Sequence, residues 1–171
     1  SESLLINEVS GAAYNNTMPW LEIYNNGSSC ALMSNFSVKT LSISTSDNLN
    51  NLSDARTFSL PSVELKSGGY MIIRGKYTTS NNITSSASFA EISDDSSYSP
   101  AWGYNGGFIE ILKDGKTIDF ISFGTDTTSP TSSDGWTGSA APKPVFWSTY
   151  SESVARDSTS SDTNSSSDWT Q

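Results

Sequence analysis

The sequence predicts an all-β sandwich, and three observations carry that expectation. Apolar and aromatic residues come in short runs of strand length, separated by polar, turn-forming stretches. Asp114-Gly115 lies between two β-rich runs, the dipeptide a tight hairpin turn favours. No window of useful length repeats its apolar residues at the helical period, and Ala, Glu and Lys are scarce beside Ser, Thr and Asn. Only 35% of residues are hydrophobic, so the core must come from a few concentrated runs. A chain of 171 residues suffices for one such core, and a single domain over residues 1–171 is expected.

The elements follow in order. LLINEV, residues 4 to 9, reads as the first strand. In PWLEIYNNG, Leu21 and Ile23 point to one face while Trp20, Glu22 and Tyr24 point to the other, and Asn26-Gly27 marks a turn. Residues 31 to 45 alternate loosely through Leu32, Phe36, Val38, Leu41 and Ile43. TFSLP is a short strand stopped by Pro61, and GGYMIIRG, residues 68 to 75, is a buried strand framed by glycines. Residues 76 to 102 are polar and Ser-rich, and predict a long loop.

FIEILKDGKTIDFISFG, residues 108 to 124, is the strongest local signal, a hairpin. A two-residue loop sets Lys113 against Lys116. Continued regularly, it pairs Ile111 with Ile118 and Ile109 with Phe120, which matches apolar with apolar. The same register sets Glu110 directly opposite Asp119. Like charges so placed destabilise a sheet, so a cation, a shared proton or a basic side chain such as Arg56, Arg74 or Arg156 is expected to relieve them. Residues 125 to 147 read as a second long loop anchored by Trp136 and Trp147.

The ending, SVARDSTSSDTNSSSDWTQ, has the composition of a disordered tail. Val154 and Trp169 bracket it, however, and a free tail gains nothing from an apolar residue at each end. A short strand over Ser153 to Arg156 is expected, then a polar loop held by Asp and Ser side chains, with Trp169 packed on the sandwich. Asp157, Asp162 and Asp168 lack the spacing of an EF-hand calcium loop.

Composition narrows the function. The net charge is −9 and the nine Lys and Arg are scattered singly, which argues against direct binding of nucleic acid. There is no His, so no His-based triad or His metal site is available. Neither a G-x-S-x-G nor an S-x-x-K motif occurs. The carboxylates left for acid–base chemistry are the pairs Glu8 with Glu22 and Glu110 with Asp119. Cys30, the single cysteine, allows no internal disulfide and reads as a small buried hydrophobe. No apolar run is long enough to span a membrane, and strand-like sequence begins at Leu4, as expected of a trimmed secreted domain.

Five stretches in order, LLINEV, PWLEIYNNG, LKSGGYMII, IDFISFG and SVARDSTSSDTNSSSDW, resemble the lamin-tail domain in its bacterial extracellular form. The resemblance implies an immunoglobulin-like β-sandwich without catalytic machinery, in which Arg156 and Asp168 are placed parts of the fold. It implies an accessory module of a secreted or surface protein, often one that carries a hydrolase. The animal members follow a coiled-coil rod and bind protein and chromatin partners; no heptads and no basic patch occur here.

The expectation is therefore a non-catalytic, secreted or cell-surface module that docks a larger protein to a surface, polymer or protein partner, with no cofactor or metal. The alternative is a carbohydrate-binding sandwich whose exposed tryptophans, among Trp20, Trp102, Trp136 and Trp147, stack on sugars. An enzyme working with carboxylates alone is the third reading.

Overall fold

The computed structural model describes residues 3–10, 20–43, 55–75, 85–86, 88–92, 106–132, 135–144 and 152–171. The strands are β1 (Leu4–Ser10), β2 (Trp20–Asn25), β3 (Ala31–Leu32), β4 (Phe36–Ile43), β5 (Arg56–Ser59) and β6 (Glu64–Leu65). There follow β7 (Tyr70–Gly75), β8 (Ser85–Ser86), β9 (Phe89–Ile92), β10 (Gly106–Lys113), β11 (Lys116–Gly124) and β12 (Ser153–Ala155). A six-stranded sheet runs β12-β1-β2-β7-β9-β8, a four-stranded sheet runs β11-β10-β4-β5, and β3 pairs with β6. All pairings are antiparallel except that of β7 with β9. The fold is an all-β sandwich.

Period-two alternation builds its centre. Ile6, Val9, Leu21, Ile23, Met71 and Ile73 of the large sheet meet Val38, Ile109, Ile111, Ile121 and Phe123 of the small one in one buried cluster. Each such side chain stabilises the fold by roughly 1.5–3 kcal/mol relative to exposure. Asn25 is also fully buried, with its polar groups satisfied. Its amide donates to the carbonyls of Ser29 and Leu65 at 3.0 and 2.8 Å, and its Oδ1 accepts from the Gly27 amide at 3.0 Å.

The hairpin corrects the expected register. Asp114 and Gly115 both have positive φ, 51° and 73°, as a two-residue type I′ turn requires, and Lys113 faces Lys116. Leu112 then pairs with Thr117, but Ile111 pairs with Asp119, because Ile118 is an extra residue in a β-bulge. Beyond the bulge Ile109 faces Ile121 and Glu110 faces Phe120. Ile111 is therefore not opposite Ile118, Ile109 is not opposite Phe120, and Glu110 is not opposite Asp119. The extra residue turns Asp119, Ile121 and Phe123 inward and puts Phe120 on the outer face. Two tertiary contacts accompany it: Asp119 meets Arg156, and Phe120 stacks on Phe108. Ile118 is 37% exposed, whereas Ile121 is fully buried. Ile121→Ala should cost roughly 2–5 kcal/mol, and Ile118→Ser no more than about 0.5 kcal/mol. Chemical denaturation checks both, and the regular register requires the opposite order.

Two further expectations are corrected. Residues 76 to 102 are not one uninterrupted loop: β8 and β9 lie there, and β9 extends the large sheet beside β7. Cys30 is exposed rather than buried, because it precedes the two-residue β3 at a turn outside the core.

The Ser-rich ending is folded. β12 pairs with β1, setting Val154 opposite Val9, and the chain returns to bridge Ala155 with Thr170. Trp169 is 3% exposed within the main core. Between them, Asp157 accepts from the amides of Thr159 and Ser161, and Asp162 from that of Asn164. Ser165 and Asp168 form a reciprocal cap on a 3-10 turn, Ser166–Asp168.

Candidate functional site

The outer face of the six-stranded sheet follows from the alternation that fills the core. When Leu21, Ile23, Met71 and Ile73 point inward, Trp20, Glu22 and Tyr24 on β2 and Tyr70, Ile72 and Arg74 on β7 must point outward. The register lays them in rows. Leu5, Tyr24 and Tyr70 form one; Ala155, Glu8, Glu22, Ile72 and Phe89 the next; Ser153, Ser10, Trp20, Arg74 and Glu91 the third. Glu8 joins this face because Asn7 is an extra residue at a bulge in β1.

This face is partly exposed, with Leu5, Ser10 and Glu91 buried on it. Tyr70 is 46% exposed, and Trp20, Glu22, Tyr24, Ile72 and Phe89 are half-buried. Tyr24 and Tyr70 stack at 4.7 Å between ring centroids. The Arg74 guanidinium pairs with Glu91 and lies 5.3 Å from the centre of the Phe89 ring. Glu8 accepts from the Ser153 hydroxyl. Glu22 accepts from the Asn7 side-chain amide at 2.8 Å, and Asn7 Oδ1 in turn accepts from Ser160 at 2.7 Å, tying the ending to this face.

The other carboxylate pair is taken apart by the hairpin bulge. Glu110, 1% exposed, lies on the outer face of the small sheet. It accepts from Thr117 Oγ1 at 2.6 Å and from the amide and hydroxyl of Thr131 at 2.7 and 2.6 Å, with Lys39 at 4.0 Å. Asp119 points into the sandwich, where its two oxygens meet Arg156 Nη2 at 3.1 Å and accept from the amides of Ile6 and Phe120. Burial raises the Asp119 carboxyl from 3.8 to about 6, against the opposing pull of Arg156 and the two amides. Of the three arginines named as partners for this pair, Arg156 is the one that reaches Asp119.

Arg156 is itself buried, and its Nε donates to the Ile6 carbonyl at 2.8 Å. Its Nη1 meets the Ser161 carbonyl, Asp162 and Asp168, and its guanidinium lies 4.7 Å from the centre of the Trp169 ring. Burial raises Asp168, but hydrogen bonds from Thr163 and Ser165, with Arg156, outweigh it and hold the carboxyl below its ordinary value. Hydrogen bonds from Ser161 and Thr159 hold Asp157 well below the usual range. Arg156 is thus a structural clamp joining β1, β11 and the ending.

The tryptophans are placed differently from one another. Trp20 stands on the outer face of the six-stranded sheet beside Arg74. Trp136 packs on both core clusters and edge-on to Phe120, at 5.8 Å between centroids, so it fastens its loop over the small sheet. Trp102 and Trp147 lie outside the described residues. The period-two reading of β2 already places Tyr24 on this face; Tyr70, Ile72 and Phe89 lie outside the expected site residues. The alternation around Met71 and Ile73 is the signal that finds Tyr70 and Ile72; Phe89 sat in a stretch expected to be loop. Among the described residues no group of three or more Cys, Asp or Glu is arranged to hold a metal. No helix there is long and apolar enough to cross a membrane.

No protein-family model matches the chain, and no curated protein is significantly similar to it.

Proposed function

We propose that the chain is a non-catalytic docking module of a secreted or cell-surface protein, with the architecture implied by its resemblance to the lamin-tail domain. The observation that carries this reading is the outer face of the six-stranded sheet. It presents aromatic rings and carboxylates together, while the corresponding face of the small sheet is capped by Trp136 and Thr131. Rigid aromatic side chains on a pleated surface supply contact area at low entropic cost. The acids support the non-catalytic reading. Asp119 is neutralised by Arg156, Glu110 is enclosed by threonines, and Glu8 and Glu22 are half-buried side by side on a pleated sheet face, each bonded to a neutral donor.

A fluorescent fusion of the domain, applied to cells of its source organism, tests this. Saturable binding should be lost in a Trp20→Ser/Tyr70→Ser variant that keeps its β circular dichroism. Equal binding by the variant defeats the reading, as does hydrolysis of phosphoesters or polysaccharides that disappears on Glu8→Gln or Glu22→Gln.

A further inference from the structure

We propose that the partner of this face is a basic protein segment, whose arginine or lysine side chains enter the row formed by Glu8 and Glu22 between the aromatic rings. The inference rests on the docking reading above and names the chemistry of the partner.

Three observations carry it. Glu8 and Glu22 are direct cross-strand partners on one face, an arrangement that is repulsive without a counter-charge. Each accepts from a neutral donor, Ser153 or Asn7, and among the described residues no cation reaches either. Arg74, the basic residue in the adjoining row, is committed to Glu91 and Phe89. Trp20 and Tyr24 flank Glu22 along β2, with Tyr70 beyond Tyr24. An aromatic face beside a carboxylate is a favourable seat for a guanidinium.

The chain itself uses that chemistry twice. Arg156 sits between Asp119, Asp162, Asp168 and the Trp169 ring, and Arg74 between Glu91 and the Phe89 ring. The Glu8–Glu22 row repeats the combination without an arginine of its own. A neutral sugar would stack on the rings but leave the two carboxylates repelling each other; a basic side chain relieves them. The net charge of −9 steers a basic partner toward the domain.

The experiment is titration of the isotopically labelled domain, followed by NMR, with a short peptide of alternating glycine and arginine. A glycine–glutamate peptide and a soluble β-glucan oligosaccharide serve as comparisons. The arginine peptide should shift the signals of Glu8, Trp20, Glu22, Tyr24 and Tyr70, and added salt should weaken it. Its affinity should fall about tenfold in Glu8→Gln/Glu22→Gln, as expected for loss of interfacial charge pairs. That variant removes repulsion, so it remains folded. A Glu64→Gln/Asp114→Asn variant removes the same charge from exposed positions elsewhere and should bind as the parent does. The proposal is overturned if the two double variants weaken binding equally, if the arginine peptide shifts no signal on this face, or if the oligosaccharide alone binds there. Should the cell-surface fusion lose binding in Trp20→Ser/Tyr70→Ser while the arginine peptide fails, docking stands and the basic partner falls. Should that fusion be indifferent to the variant, docking itself falls.

Discussion

Gly107→Ala should abolish or severely weaken folding. Gly107 lies in β10 where it crosses β4, with φ of +149°. A Cβ there would stand 2.0 Å from the Leu41 carbonyl oxygen. That atom belongs to a strand inside the sheet and cannot swing away as a side-chain tip would. The methyl must therefore push β10 from β4 and break ladder bonds. Overpacking costs roughly 1–3 kcal/mol, and backbone strain at a disfavoured φ adds about 1–3 kcal/mol. Together they approach the whole stability of an ordinary domain. Gly115→Ala is the control. Its φ is +73° in the hairpin turn, but nothing lies within 4 Å of the added carbon, so conformational strain alone applies, of order 1–2 kcal/mol. Thermal melting of the two variants checks the claim. A Gly107→Ala protein that melts at or above Gly115→Ala would refute the close approach.

Arg156→Met should produce the next largest loss. The substitution keeps a long apolar stem against Trp169 and removes only the charge and its hydrogen bonds. Asp119 would remain buried without its partner, and the Ile6 carbonyl would lose the Nε donor. Breaking a buried ion pair on one side costs about 3–5 kcal/mol. For a chain of this size that lowers Tm by roughly 6–20 °C. Removing residues 153 to 171 should be at least as damaging, since it deletes β12 and Trp169 as well as the clamp. A truncated protein that melts with the parent would show that the ending is an ornament.

The same clamp carries a pH signature. The Asp119 carboxyl is raised to about 6 in the folded state, so the fold takes up this proton more readily than the unfolded chain. Its stabilising contribution is full below about pH 4 and is lost as pH rises through about 6. Asp168 and Asp157 are lowered and act in the other direction: their contribution is present above about pH 4 and disappears in stronger acid. Tm should therefore be highest near pH 4 and decline as pH rises from about 4 to 6. Asp119→Asn should flatten the decline between about pH 4 and 6 and leave the acid limb in place.

The sequence by itself determined the class of fold and most of its strands. Short β-rich runs, Pro61, and the Asp114-Gly115 turn act locally, and local rules read them correctly. It also determined that the ending is folded, because Val154 and Trp169 are apolar residues that a disordered tail has no use for. Half of the candidate face was legible too. Trp20, Glu22 and Tyr24 follow from the inward pointing of Leu21 and Ile23, and nothing beyond period two is needed. What only the tertiary structure decided is where that period breaks. The bulges at Asn7 and Ile118 each insert one residue, and one residue moves every later side chain to the other face. At Ile118 the shift brings Asp119 to Arg156, 37 positions away, and dissolves the expected carboxylate pair. At Asn7 it turns Glu8 onto the outer face directly opposite Glu22, which brings the other expected pair together. No local propensity marks either site. A bulge is selected by what the turned side chains meet on another part of the chain, and that information exists only once the sheets have packed.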